Sequence, residues 1–136
     1  MDGVILTPLK QIYNPKGDIF HAMKKSDVGY EGFGEAYFST IYKDDIKGWK
    51  KHGKMTLNLI VIVGVIEFIV FDEKSNEFYS EILSQKNYQR LTIKPSLWVA
   101  FRGVGKETNI LLNLASIEHD PTESINIELD KIDYNW

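Results

Sequence analysis

Residues Leu57 to Phe71 form a 15-residue apolar stretch interrupted by Asn58, Gly64 and Glu67. A membrane helix needs roughly 20 consecutive apolar residues, so this stretch is too short and too broken to span a bilayer as one. Its two halves, Leu57-Asn-Leu-Ile-Val-Ile-Val and Val65-Ile-Glu-Phe-Ile-Val-Phe, are rich in β-branched and aromatic residues. Such side chains fit a pleated, packed surface. Two runs of this kind around one Gly predict a strand pair bent at a bulge or tight turn at Gly64.

The rest of the chain repeats the theme. Phe78-Tyr-Ser-Glu-Ile-Leu, Tyr88-Gln-Arg-Leu-Thr-Ile, Leu97-Trp-Val-Ala-Phe and Thr108-Asn-Ile-Leu-Leu-Asn-Leu read as strands, as do Asp18–Met23 and Glu35–Tyr42 nearer the start. No window carries a helical apolar stripe with caps at both ends. Strands recurring about every 8–12 residues, with Gly, Pro, Asn and Asp between them, predict an all-β antiparallel sandwich or jelly-roll barrel. With 136 residues and no linker or repeat, one domain over 1–136 is expected.

Charge narrows the partners. There are 16 Lys and Arg against 19 Asp and Glu, a net charge of −3. Nucleic-acid binding needs cationic residues in excess, so no nucleic acid is expected as a partner. The absence of Cys removes disulfides, thiolate metal sites and a cysteine nucleophile. Met1-Asp2-Gly3-Val4 has neither a basic nor an apolar leader region, so no signal peptide, no membrane partner and a cytoplasmic location are expected. Lys43, Lys47, Lys50, Lys51 and Lys54 nevertheless outnumber Asp44 and Asp45 locally. Such a patch on an acidic protein suits a small anionic ligand, or it is a solvated lysine turn.

Familiar catalytic motifs are missing. Gly103-Val-Gly-Lys-Glu-Thr lacks the Gly five positions before the Lys and the following Ser or Thr of a phosphate loop, and its setting reads as a hairpin. His21, His52 and His119 are 31 and 67 positions apart, with no local metal-ligand spacing. No metal site and no cofactor are expected.

Gly48-Trp-Lys-Lys-His52, the strand ending Ile-Val-Gly64 and Ile66-Glu-Phe-Ile-Val-Phe-Asp72 together resemble the central cassette of the small sugar-nucleotide cupins. These comprise the dTDP-4-dehydrorhamnose 3,5-epimerase family and the dTDP-sugar 3,4-ketoisomerases. Three more segments agree in order: Asn14-Pro-Lys-Gly-Asp-Ile-Phe20, Leu91-Thr-Ile-Lys-Pro95 to Phe101, and the Pro- and acid-containing His119-Asp-Pro-Thr-Glu123. The resemblance covers most of the chain. It implies a cupin-like barrel, a homodimer, and metal-free epimerisation or ketoisomerisation of a nucleotide-linked 4-keto-6-deoxy sugar for bacterial surface polysaccharide. Within it, Lys47 matches an Arg near the diphosphate, Lys50 the epimerase base, His52 the second His of the ketoisomerases, and Tyr37 a ketoisomerase tyrosine. The epimerase's acid Tyr has no counterpart around Leu111-Leu-Asn113.

The chemistry accounts for the residue types. A proton α to a ketone is removable when a base sits within hydrogen-bond reach and the enolate oxygen is stabilised. Imidazole is the ordinary base near neutral pH, which points to His52. Lys50 serves as a base only if burial or neighbouring lysines deprotonate it; charged, it stabilises an enolate or a phosphate. Tyr37 would return the proton. Period two puts Lys50 and His52 on one strand face and Lys51 on the other. For substrate binding the candidates are Lys47 and Lys54, Arg102 with its bidentate fork, and Trp98 as a stacking platform, though Trp49, Trp98, Phe101 and Tyr37 read equally as core. Two other functions fit these residues: a sugar-nucleotide-binding module of the same fold without turnover, and a structural β-sandwich subunit with a filled interior.

Overall fold

The computed structural model describes residues 1–136. Its strands are β1 (Val4–Pro8), β2 (Gln11–Ile12), β3 (Ile19–Phe20), β4 (Glu35–Ile41), β5 (Ile46–His52) and β6 (Leu57–Val63). They continue with β7 (Val65–Asp72), β8 (Glu77–Ser84), β9 (Gln89–Ile93), β10 (Trp98–Gly103), β11 (Asn109–Ala115) and β12 (Ser124–Asn126). A 3-10 turn at Leu129–Lys131 is the one helical element, and no helix is long and apolar enough to cross a membrane. Two five-stranded antiparallel sheets face each other, in the orders β1-β9-β6-β11-β4 and β12-β5-β10-β7-β8, beside a small β2-β3 pair. The result is the all-β jelly roll that the strand pattern predicts.

Period-two geometry builds the core. Leu57, Leu59 and Val61 of β6 face Ile66, Phe68 and Val70 of β7 across the sandwich, with Leu83, Leu91, Ile93 and Leu111 closing the layer. Burying each such side chain contributes roughly 1.5–3 kcal/mol. β7 is also covered on its other face, where Ile69 packs with Trp49, Trp98, Ala100 and Ile132. On the outer face of β6, Asn58 is 1% exposed and donates its amide to the Gly29 carbonyl at 3.0 Å. Strands buried on both faces read as continuous apolar runs, which is why 57–71 lacks clean alternation.

Gly64 acts differently from the expected bend within a strand pair. β6 pairs with β9 and β11, whereas β7 pairs with β8 and β10, so Gly64 switches the chain between sheets. The two runs oppose each other across the core because both have an apolar inner face to bury. Gly103–Glu107 is likewise a crossover and no hairpin, since β10 and β11 belong to opposite sheets. Of Asp18–Met23, only Ile19–Phe20 is strand. The residues that follow lie over the first sheet, where the fully buried Arg90 donates to the carbonyls of Ala22 (2.7 Å) and Val28 (2.9 Å) and pairs with Asp27 at 3.2 Å.

Gly64 has φ of +79°, a left-handed conformation that costs other residues roughly 1–2 kcal/mol. A Cβ there would sit 2.6 Å from the Thr108 carbonyl oxygen and collide with the Asn109 side chain. Asn109 Oδ1 accepts the Val65 N–H at 2.9 Å and so closes this turn. Gly64→Ala is therefore expected to destabilise the protein by more than the conformational term alone. Thermal denaturation should show the melting temperature falling by several degrees, and an unchanged value would contradict this account of the switch.

Candidate active site

The two sheets part at one end around a cavity of about 260 Å³ that opens to solvent. Ligand pockets for drug-sized molecules run to roughly 300–1,000 Å³, so this one has room for only part of such a molecule. Leu57, Leu59, Val99 and Leu111 form its apolar floor. Tyr37, Lys47, Lys50, His52 and Asn113 bring polar groups to it.

A bulge in β5 aims the basic residues. Val99 of β10 pairs with Lys50 and Phe101 with Lys47, so Ala100 alone stands opposite both Gly48 and Trp49. The extra residue breaks period two. Lys47 and Lys50, three positions apart, both reach the cavity, while Trp49 turns to the outer face and is fully buried there. Gly48 has φ of +149°, and a Cβ on it would run into the Ala100 methyl and lie 2.8 Å from the Ala100 Cα. The C-terminal segment holds Trp49 from outside. Trp49 and Ile127 exchange backbone hydrogen bonds of 3.2 and 3.1 Å, and the indole N–H donates to the Leu129 carbonyl at 3.3 Å. Beyond the bulge, alternation resumes as expected, with Lys50 and His52 facing in. Lys51 faces out, its ammonium 4.6 Å from the Trp98 ring centroid and 2.5 Å from the Glu73 carboxylate.

His52 is 7% exposed, and its Nδ1 bonds the carboxylate of Glu123, whose side chain is 2% exposed. An ionised carboxylate only accepts, so Nδ1 carries a hydrogen, and in the neutral imidazole the lone pair is on Nε2. The other Glu123 oxygen accepts the N–H groups of Gly53, Lys54 and Met55 at 3.1, 3.0 and 3.2 Å. Burial pushes the Glu123 carboxyl up, but the hydrogen bonds from His52, Lys54 and Met55 outweigh it and hold it below the ordinary 4.5. Glu123 is delivered by the Asp120–Thr122 turn, closed by Thr122 bonds to Asp120 Oδ1 at 2.9 and 2.6 Å.

Opposite the lysines, Asn113 of β11 donates its amide to the Tyr37 hydroxyl oxygen of β4 at 3.0 Å. Lys47 donates to the Thr40 carbonyl at 2.6 Å and lies 6.0 Å from the Phe101 ring centroid. None of the five side-chain ion pairs includes Lys47 or Lys50, so both cations remain available to a ligand. No group of three or more potential metal ligands converges anywhere in the molecule.

Of the predicted site residues, the structure brings together His52, Lys50, Tyr37 and Lys47 and leaves Lys54, Arg102 and Trp98 outside. Val99 and Phe101 of β10 line the cavity, so Trp98 and Arg102 project to the opposite face. Trp98 is buried core there and donates its indole N–H to Glu73 at 3.1 Å. Arg102 is tied to Glu67 at 2.5 Å. Lys54 lies past the end of β5 with an exposed side chain, and only its backbone N–H serves the site, through Glu123. Sequence reasoning missed Glu123 and Asn113 as site residues. The one signal for Glu123 was the acid in the His119–Glu123 stretch, 71 positions from the imidazole it supports.

The sandwich and its cavity bring together an imidazole backed by a carboxylate, a phenol, and two ammonium groups outside any ion pair, over an apolar floor. Residues 2–133 match the family model described as FdtA, WxcM-like, C-terminal, and the chain belongs to this family. Among solved structures, a dTDP sugar isomerase from Desulfovibrio desulfuricans G20 superposes with a TM-score of 0.93 at 29% identity, over 99% of this chain and 91% of that one. The 3,4-ketoisomerase QdtA from Thermoanaerobacterium thermosaccharolyticum, as a histidine-to-asparagine variant with TDP-4-keto-6-deoxyglucose, gives 0.81 at 25% identity over 92% and 88%. The dTDP-4-dehydrorhamnose 3,5-epimerase from Sulfolobus tokodaii shares the fold, with 0.83 at 20% identity over 98% and 82%. Comparison with curated protein sequences gives no significant match.

The Glu123 contacts carry a pH signature. Because the folded carboxyl is held below 4.5, its stabilisation is present above that value and is lost as pH falls through the folded value. Charge-assisted hydrogen bonds contribute about 1.5–3 kcal/mol each. Glu123→Gln should thus lower the melting temperature at pH 7, and the gap from wild type should close progressively as pH falls below 4.5. A gap independent of pH would show that the charge contributes nothing.

Proposed function

We propose that this chain is a nucleotide-sugar isomerase that enolises a dTDP-linked 4-keto-6-deoxyhexose and moves its keto group between C4 and C3. The observation that carries the reading is the free Nε2 of His52, backed by Glu123, in one cavity with Tyr37 and Lys50. The family and the two solved structures at 25% identity or more support the substrate class.

The steps follow from the groups. Nε2 of His52 removes the C3 proton, and the electron pair moves through the C3–C4 bond to the C4 oxygen. The developing enolate is met by donors, the Tyr37 hydroxyl and the Lys50 ammonium, in an apolar setting that strengthens each interaction. Transfer of the C3 hydroxyl proton to the C4 oxygen and return of a proton to C4 leave a 3-keto sugar. The reaction is an isomerisation with no net oxidation. Lys47, at the mouth, meets the diphosphate. Glu123 holds the imidazole tautomer and stabilises the imidazolium that forms.

The enzyme works as a homodimer. β4 is the unpaired edge of its sheet, and Phe38 (68%) and Tyr42 (74%) are strongly exposed on or beside it. Unpaired edges with apolar side chains call for cover. On this reading it acts in the cytoplasm, supplying deoxysugars for surface polysaccharide. Sedimentation analysis should give twice the monomer mass of 15.7 kDa.

The direct test incubates the protein with dTDP-4-keto-6-deoxyglucose in deuterated water and follows label by NMR. Deuterium is expected at C4 of a 3-keto product and at C3 of recovered substrate, with C5 unlabelled. His52→Ala should slow uptake by about 10²–10⁴-fold, the usual contribution of a general base. Label at both C3 and C5 would identify an epimerase instead. No uptake, with the ligand still raising the melting temperature, would leave a sugar-nucleotide-binding module.

A further inference from the structure

Asn113 and Tyr37 are direct cross-strand partners on β11 and β4, and the hydrogen bond between them has a fixed direction. Asn113 is 1% exposed, and both ends of its amide are engaged. Oδ1 accepts the backbone N–H of Asn58 at 3.1 Å, and Nδ2 donates to Tyr37 Oη at 3.0 Å. A backbone N–H only donates. Flipping the amide would set two donors against each other at Asn58, which an interior does not tolerate. The Tyr37 oxygen must therefore be the acceptor, and its own hydrogen has to point elsewhere.

That direction is the cavity. Tyr37 lines it, and its hydroxyl donates to no group of the protein. The constraint extends back through the sheet. Asn58, also 1% exposed, accepts from the Thr92 hydroxyl at 2.6 Å and donates to the Gly29 carbonyl at 3.0 Å. Thr92 of β9, Asn58, Asn113 and Tyr37 form one polar chain through the sheet to the cavity wall. Every link in it has a settled donor and acceptor.

We infer that Asn113 is a positioning residue that makes Tyr37 an obligate hydrogen-bond donor to the keto oxygen of the bound sugar. The inference rests on the isomerase reading for the identity of that oxygen. Asn113 touches no reacting atom and acts through the phenol alone.

The test reverses the polarity of the contact. Asn113→Asp keeps the size and the acceptor for Asn58 but turns an acceptor toward Tyr37, which then donates to the carboxylate and no longer to the ligand. At pH 7, kcat should fall by about 10²-fold with KM changed far less, as for loss of a preorganised donor. Tyr37→Phe should cost as much, and the double variant no more than Tyr37→Phe alone. If Asn113→Asp fails to fold by circular dichroism, Asn113→Ser keeps a hydroxyl acceptor for Asn58 and frees Tyr37 from its donor; a roughly 10-fold loss that vanishes in the Tyr37→Phe background is then expected. Binding is measured alongside by calorimetry. Asn113→Asp should weaken dTDP-4-keto-6-deoxyglucose but leave dTDP, which lacks the sugar, unaffected. This comparison does not depend on turnover, so wild-type inactivity would sink the isomerase reading while the donor inference is still judged. Wild-type kcat in the variant, additive losses in the double, or equal weakening of both ligands would overturn it.

Discussion

Between Val99 and Phe101, β10 sets a single residue, Ala100, against two of β5, and the chemistry of the cavity depends on that mismatch. The extra residue rotates the following part of β5 by one position, so that Lys47, Lys50 and His52 share a wall while Trp49 is driven outward. A regular strand with the same sequence would lose Lys47 or Lys50 from the cavity. Trp49 is held from behind by Ile127 and Leu129 and packs edge-on against Tyr134, with ring centroids 6.4 Å apart. The wall of a reactive cavity is thus fixed by packing on its far side, a typical use of bulges near functional sites.

Much of the remaining structure keeps polar groups from being stranded. A cavity between two apolar sheets desolvates whatever lines it, and an unpaired buried carboxylate would be costly. Glu123 escapes that cost through three backbone donors and the imidazole. Asn58 and Asn113 escape it by bonding to each other and to Thr92 and Gly29. Lys50 is the exception, half-buried in the cavity wall, while Lys47 is exposed and bonded to the Thr40 carbonyl. The buried His52–Glu123 pair and the exposed Lys47 thus occupy different depths, matching a ligand whose reacting ring enters while its charged portion stays outside.

The sequence announced the fold through the density of β-branched residues in 57–71 and the regular turns around it, because residue type, alternation and turn chemistry are local signals even where strand pairing is not. It also showed that Lys50 and His52 share a face, since period two holds over two residues. It could not show that Lys47 joins them, because a bulge is set by the partner strand and by the Ala100 contact at Gly48. Trp98 and Arg102 were misassigned to the cavity for a related reason: residue type suggested stacking and phosphate binding, and only the phase of β10 decides which way they point. Glu123 and Asn113 were hidden by distance along the chain. Their roles exist only once β11 lies beside β4 and the 120–123 turn reaches the end of β5. Gly64 was recognised as an interruption, but a bend within one sheet and a switch between sheets look alike without pairing information.

His52 and Glu123 are separated by 71 positions, and strands of both sheets lie between them in sequence. Bringing two such distant groups together costs loop-closure entropy that no local element repays in advance. Glu123 reaches His52 through the pairing of β12 with β5 inside one sheet, whereas Tyr37 and Asn113 come from the opposite sheet, so the complete set is assembled only when both sheets have paired and closed on one another. No hairpin or single sheet contains all of it. Turnover by this protein then reports the closed barrel population directly, and a split of the chain between β5 and β12 would restore activity only through complete reassociation.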